Sequence, residues 1–254
     1  MKFRFALAAL GLLAAFGAFA AAGNDLSDAE FQGRQLAQQL LEQSPATNFT
    51  QTGILKIHDK EGSTTNIFVS LQTRVSVDSW QTDYAAGPTI NGARTVELRI
   101  IHKNGQPNQY FFIENEKGLF KNPLLVMTAL NGNETMIPFA NSDFWIADLG
   151  LEFFHWPEQK ILKRELRRSR ACTVLESTNP SPFTNGYSRV VSWIDNETLG
   201  IVHAEAYDAK GKLFKEFDPK SFKKVNGQWE PQEMEIRNDQ TGSRTRLEFD
   251  VKKE

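Results

Sequence analysis

Four histidines, one cysteine and a scatter of carboxylates are the side chains here that carry chemistry near neutral pH. Their spacing does not assemble them into a catalytic set. His58, His102, His155 and His203 are far apart, with no metal-ligand spacing. His203-Ala-Glu has the opening of a zinc-deaminase motif but lacks its partner cysteines, because Cys172 is the single cysteine of the chain. Asp143 and Asp148 form a close carboxylate pair, but 31 acidic residues make such pairs expected by chance. Ser142-Asp143 stands where a helix N-cap belongs, since a short polar side chain accepts from the orphan amides of a first turn. No G-x-S-x-G elbow, phosphate-binding Gly-rich loop, H-E-x-x-H or C-x-x-C occurs. With no nucleophile–base pair to name, the expectation is a protein that is not an enzyme, with no cofactor and no metal.

The second unusual group is aromatic. The stretch NSDFWIADLGLEFFHWP, Asn141 to Pro157, places Phe144, Trp145, Phe153, Phe154 and Trp156 among Ile146, Leu149 and Leu151. So much aromatic surface either plugs a core or lines and covers a ligand cavity. Directly after it come Lys163, Arg164, Arg167, Arg168 and Arg170. Such a run is ordinarily a solvated face. The functional alternative is that Arg164 and Arg168 meet phosphate or carboxylate head groups at a cavity mouth, a task that suits the guanidinium fork.

The elements that must position these groups begin after an export signal. Lys2 and Arg4 precede an uncharged run from Phe5 to Ala22, and small residues close it, so residues 1–22 form a secretory signal peptide cut after Ala20 or Ala22. Removing Lys2 and Arg4 takes the formal charge from −2 to −4, which argues against a nucleic-acid partner. Residues 23–254 are expected to be one monomeric, exported domain. One thiol cannot make an internal disulfide, so Cys172 is expected to be a small buried hydrophobe. The N-x-T triplets at Asn48, Asn133 and Asn196 are taken as chance.

Ser27 and Glu30 spell a capping box, with Leu26 just before it. Phe31, Leu36, Leu40 and Leu41 then make the apolar stripe of one helix that Pro45 ends. From Asn48 the period changes to two. Ile67, Val69, Leu71, Val75 and Val77 alternate with Asn66, Ser70, Gln72, Arg74 and Ser76, with Phe68 alone breaking the pattern. Further strands are expected at 53–59, 94–103, 109–115, 161–177, 187–195, 200–208, 212–217, 222–225, 228–238 and 243–252. Asn91-Gly92, Asn104-Gly105, Asn226-Gly227 and Thr241-Gly242 mark turns between them. A helical or irregular interlude at 122–157 divides this meander. A sheet so long must curl or close.

The blocks SDF-x-x-x-DLGLEFFHWP, CTVLES, YSRVVSWID, AYDAKGKLFKEF and NGQWEPQEMEIRNDQTGSRTRLEF follow one another in that order. In this series the chain resembles the outer-membrane lipoprotein-sorting family, relatives of the periplasmic lipoprotein carrier (LolA-like), over about Leu124 to Val251. The resemblance implies a mainly β (α+β) fold, a strongly curved antiparallel unclosed half-barrel with helices covering the concave face. It implies periplasmic binding or carriage of acyl chains, with lipoprotein or lipid as ligand and a membrane protein as a further partner. The ligand-lining residues expected on this frame are Ile67, Val69, Leu71 and Val75 of the concave face, with Phe144, Trp145, Leu149, Phe153 and Phe154 in the cover. An envelope sensory or protein-interaction module on the same fold is the alternative.

Overall fold

The computed structural model describes residues 27–87, 94–116, 124–225 and 228–249. The expected signal peptide, Leu26, the expected turns at Asn91-Gly92 and Asn226-Gly227, and the part of the expected last strand beyond Phe249 lie outside the described residues.

Helix α1 (Asp28–Leu41) starts at the expected box, with Ser27 and Glu30 satisfying each other's backbone amides. Its buried face differs from the stripe read from the sequence. Gly33, Ala37 and Leu40 are buried, whereas Phe31 is more than half exposed. The cause is close approach, because a Cβ on Gly33 would run into the backbone of Gln159 and Lys160. Small residues let α1 lie flat on a strand, and a large apolar side chain has no room there.

Among the described residues thirteen strands form one antiparallel sheet. They are β1 (Phe49–His58), β2 (Thr64–Val75), β3 (Ser79–Ala86), β4 (Arg94–Lys103), β5 (Gln109–Glu116), β6 (Leu124–Leu130), β7 (Glu158–Arg167), β8 (Arg170–Thr178), β9 (Tyr187–Asp195), β10 (Ile201–Asp208), β11 (Leu213–Val225), β12 (Gln228–Asn238) and β13 (Arg244–Phe249). The order is β6-β5-β4-β3-β2-β1-β13-β12-β11-β10-β9-β8-β7. Two meanders therefore grow outward from the central β1–β13 pair, and the last strand of the first and the first strand of the second are the free edges. Residues 131–157 join those two edges. They hold the short helix α2 (Ile146–Leu149) and 3-10 turns at Gly132–Thr135 and Glu152–His155.

Several boundaries differ from the sequence reading, each for a local reason. Strand β2 stops at Val75 and leaves Val77 fully exposed in the turn before β3. The segment 161–177 is a hairpin rather than one strand. Arg168 and Ser169 both take positive φ, a tight turn built without the glycine or asparagine that normally announces it. Segments 212–217 and 222–225 are one strand, β11, bent by register shifts around Ser221. The run Leu124–Leu130, counted in the interlude, is β6. The cap also moves. Ser142 closes a turn by donating to the Phe139 carbonyl (2.7 Å), while α2 begins at Trp145, whose amide donates to Asp148 (2.8 Å).

The sheet is curled, and a distance argument shows it. Tyr84 on β3 and Ala204 on β10 wall the same cavity although six strand spacings separate their strands. A flat sheet would hold those strands about 29 Å apart. The core is continuous with this curl. Phe139, Phe144 and Ile146 share one buried cluster with Leu55, Leu98 and Ile236, which come from both meanders. Trp145, Phe153, Phe154 and Trp156 share a second with Leu175, Ile194 and, from α1, Ala37 and Leu40. Alternation sends Cys172 and Val174 of β8 to the other face, where Val191 and Trp193 meet them in a third cluster.

Candidate ligand cavity

A cavity of about 210 Å³ lies between the interlude and the second meander. Strand β10 makes the space by presenting Ala204 and Ala206 inward, where larger residues would fill it. Val190 of β9, Phe217 of β11, and Met234 and Ile236 of β12 continue that wall. Phe144, Leu149, Leu151 and Phe153 of the interlude form the facing wall, with Tyr84 at the first meander's side.

The interlude is held by polar ties at both ends. Gln159 donates to the carbonyls of Phe153 and Trp156 (both 2.9 Å), and Ser177 donates to Gln159 (2.7 Å). Asn108 donates to the Gly150 carbonyl (2.8 Å), and Tyr110 donates to Glu152 (2.8 Å). A side chain at Gly150 would overlap the Tyr110 ring, so that position must be glycine. Leu151 takes φ +51°, a left-handed conformation that turns the chain sharply after α2. Burial pushes the Glu152 carboxyl up to about 7, against the opposing hydrogen bond from Tyr110.

One buried charged group stands at the cavity. Lys215 of β11 is buried and donates to the Asp143 carbonyl (2.7 Å). Its ammonium lies 3.7 Å from the Asp148 carboxylate and 3.7 Å above the Trp145 ring. Tyr187 donates to Asp148 (3.0 Å) and stacks on Trp145 with ring centroids 4.6 Å apart. Burial lowers the Lys215 ammonium to about 8, and Asp148 works against that shift. Burial raises Asp148, opposed by Lys215 and the Trp145 amide. Each charge is thus costly in place, and the pair holds both. Asp143 has a different role. It accepts from Ser243 (2.7 Å) and Thr245 (2.8 Å), tying the interlude to β13.

The residues expected from the sequence fall into distinct places. Phe144, Leu149 and Phe153 wall the cavity. Trp145 and Phe154 are buried in the second cluster, and Ile67, Val69 and Leu71 in the first. Val75 ends β2, half-buried. Arg164 donates to Gln32 of α1 (3.0 Å). Arg168 donates to the Pro219 carbonyl (2.7 Å) and to Asp218 (2.9 Å). Lys215, Asp148 and Tyr187 were not expected. Lys215 carried a signal, because it stands in phase with Phe217 on an otherwise apolar strand face. Ala204 and Ala206 carry none, since the space left by a small residue depends on its neighbours.

The open, curled antiparallel sheet with its single long connection between edges is a LolA-like fold. Residues 91–253, more than half of the chain, match a family model described as "Uncharacterized protein". The chain belongs to that family. No curated protein matches it. Among solved structures it is similar to an outer membrane lipoprotein-sorting protein domain from Vibrio parahaemolyticus, with TM-score 0.67 and 18% identity over 87% of this chain and 92% of that one. It is also similar to a LolA superfamily protein from Nitrosomonas europaea (TM-score 0.59, 12% identity, 89% and 93% covered). A DUF1329 family protein from Desulfovibrio piger gives TM-score 0.58 at 19% identity, with 90% and 96% covered. These likenesses establish the fold. Among the described residues no helix is long and apolar enough to cross a membrane.

Proposed function

We propose that this protein is an exported, periplasmic carrier that holds an acyl chain in the cavity beneath Asn141–Trp156, without catalysing a reaction. The observation that carries this reading is an apolar hollow walled by the aromatic interlude on one side and by Ala204 and Ala206 on the other. On this reading the interlude and α1 are the helical cover of the concave face. The cavity exceeds the roughly 150 Å³ at which a dry apolar void already takes up small apolar molecules. It falls below the roughly 300–1,000 Å³ of pockets that enclose a drug-sized ligand. The end of one acyl chain therefore fits as the interlude stands, and a multiply acylated lipoprotein anchor requires the interlude to shift. Each methylene buried there contributes about 0.8 kcal/mol.

Lipoprotein sorting is the role this supports, with a membrane protein as the delivery partner. The test is mass spectrometry of the gently extracted exported chain, together with titration of a fluorescent acyl probe. Co-purified lipidated protein or phospholipid, and saturable probe binding, are expected. An empty protein that binds no acyl probe would sink the proposal.

A further inference from the structure

The reverse face of β10 and β11 carries a group of side chains that alternation points away from Lys215 and Phe217. We propose that His203, Glu205 and Glu216 form a binding site there for a divalent transition metal of the Zn²⁺ class. The register is the first reason. Glu205 stands directly opposite Glu216 across the β10–β11 ladder. Two carboxylates facing each other in an antiparallel pair repel, and a cation between them removes that cost. His203 precedes Glu205 by two residues and so shares its face. One ligand atom from each of the three residues lies within 4.8 Å of the others.

The second reason is the orientation of the imidazole. His203 is buried, with the Trp193 ring edge-on at 5.0 Å between centroids. Its Nδ1 lies 2.9 Å from the Asp218 carboxylate, so a neutral imidazole in this place carries its proton on that nitrogen. The Nε2 lone pair then faces Glu205, 3.3 Å away. A carboxylate behind the histidine and an acceptor nitrogen in front is how proteins present imidazole to a metal. The carboxylates are also held from behind. The Tyr207 hydroxyl donates to the other oxygen of Glu205, and Arg237 reaches Glu216 from β12 (3.2 Å). Arg168 reaches Asp218 (2.9 Å), so these fixed cations occupy the rim of the group. One imidazole and two carboxylates, with a position left for water, suit Zn²⁺ in charge and donor type. The sequence hid this set because its ligands sit on two strands of a hairpin rather than at helical or loop spacing.

The rival arrangement is a doubly protonated His203 that donates to Asp218 and Glu205 at once. Titration of the untagged, chelator-stripped exported chain with Zn²⁺, by calorimetry and by intrinsic tryptophan fluorescence compared with a Trp193→Phe variant, separates the two. One ion per chain is expected, with a rise in unfolding temperature. Glu205→Gln and Glu216→Gln are each expected to weaken uptake at least about tenfold, and Asp218→Asn by about ten- to a hundredfold. In chelator, Glu205→Gln is expected to unfold no earlier than the parent, since it relieves a repulsion. Absence of saturable uptake, or uptake unchanged in both glutamate variants, overturns the site. A Glu205→Gln variant that unfolds earlier than the parent in chelator, beside a parent whose unfolding temperature Zn²⁺ does not raise, also overturns it, in favour of the imidazolium.

Discussion

The two faces of the β10–β11 pair have opposite characters. Inward, Ala204 and Ala206 leave an apolar hollow with one buried cation, Lys215, directly opposite Ala206. Outward, His203, Glu205, Glu216 and Asp218 crowd imidazole and carboxylates together, with arginines at their rim. Alternation lets one hairpin present both, because successive side chains leave opposite faces. The inner face depends on exclusion of water and the outer on solvated and half-buried charge. The same kind of substitution should therefore cost very different amounts on the two sides.

The largest effect is expected at the buried pair. Asp148→Asn leaves the Lys215 ammonium buried without its counter-charge and should destabilise by about 3–5 kcal/mol in denaturant unfolding. A loss below about 1 kcal/mol would mean that the inner face is wetter than its geometry implies.

The next is a pH effect in the ties of the interlude. Glu152 titrates near 7 when folded against a usual 4.5, so the folded state binds the extra proton between those values. Stability contributed by Glu152 therefore falls as pH rises from about 4.5 to about 7, by roughly 3 kcal/mol at most, and is level above. His102, stacked on Trp80, is lowered by burial from 6.5 to about 4, which has the opposite sign. Its contribution rises with pH across about 4 to 6.5 and is lost as pH falls. The two slopes therefore oppose each other across this window. Glu152→Gln should expose the rising slope of His102, and His102→Gln the falling slope of Glu152. Parallel profiles for parent and Glu152→Gln would refute the assignment.

The smallest effect is expected outside. Arg164→Ala removes an exposed hydrogen bond to Gln32 and should change stability by no more than about 0.5 kcal/mol. A larger loss would show that α1 depends on this contact more than on Gly33, Ala37 and Leu40.

Much of this architecture was legible in the sequence, and the misses are physical. Alternation in β2 and the box at Ser27–Glu30 gave elements at nearly their true bounds. Strand β6 was hidden because LLVMTAL is a continuous apolar run, which has no period to distinguish strand from helix. The β7–β8 turn was hidden because Arg168 and Ser169 adopt a conformation their residue types rarely signal. Pairing of β1 with β13 joins the chain's two ends, and no local pattern encodes it. At the cavity, Phe144, Leu149 and Phe153 were visible as aromatic and aliphatic excess. Asp148 was mistaken for a chance neighbour of Asp143, because its partners Lys215 and Tyr187 are distant in sequence.

The central claim is that the hollow between the interlude and β10 binds an acyl chain. Its most direct test is fluorescence titration of a long-chain acyl probe against the chain without residues 1–22 and its Ala206→Phe variant, with circular dichroism to confirm that the variant is folded. The account predicts saturable binding by the parent and at least about tenfold weaker binding by the folded variant, about 1.4 kcal/mol or more. Equal affinity in the two proteins would contradict it.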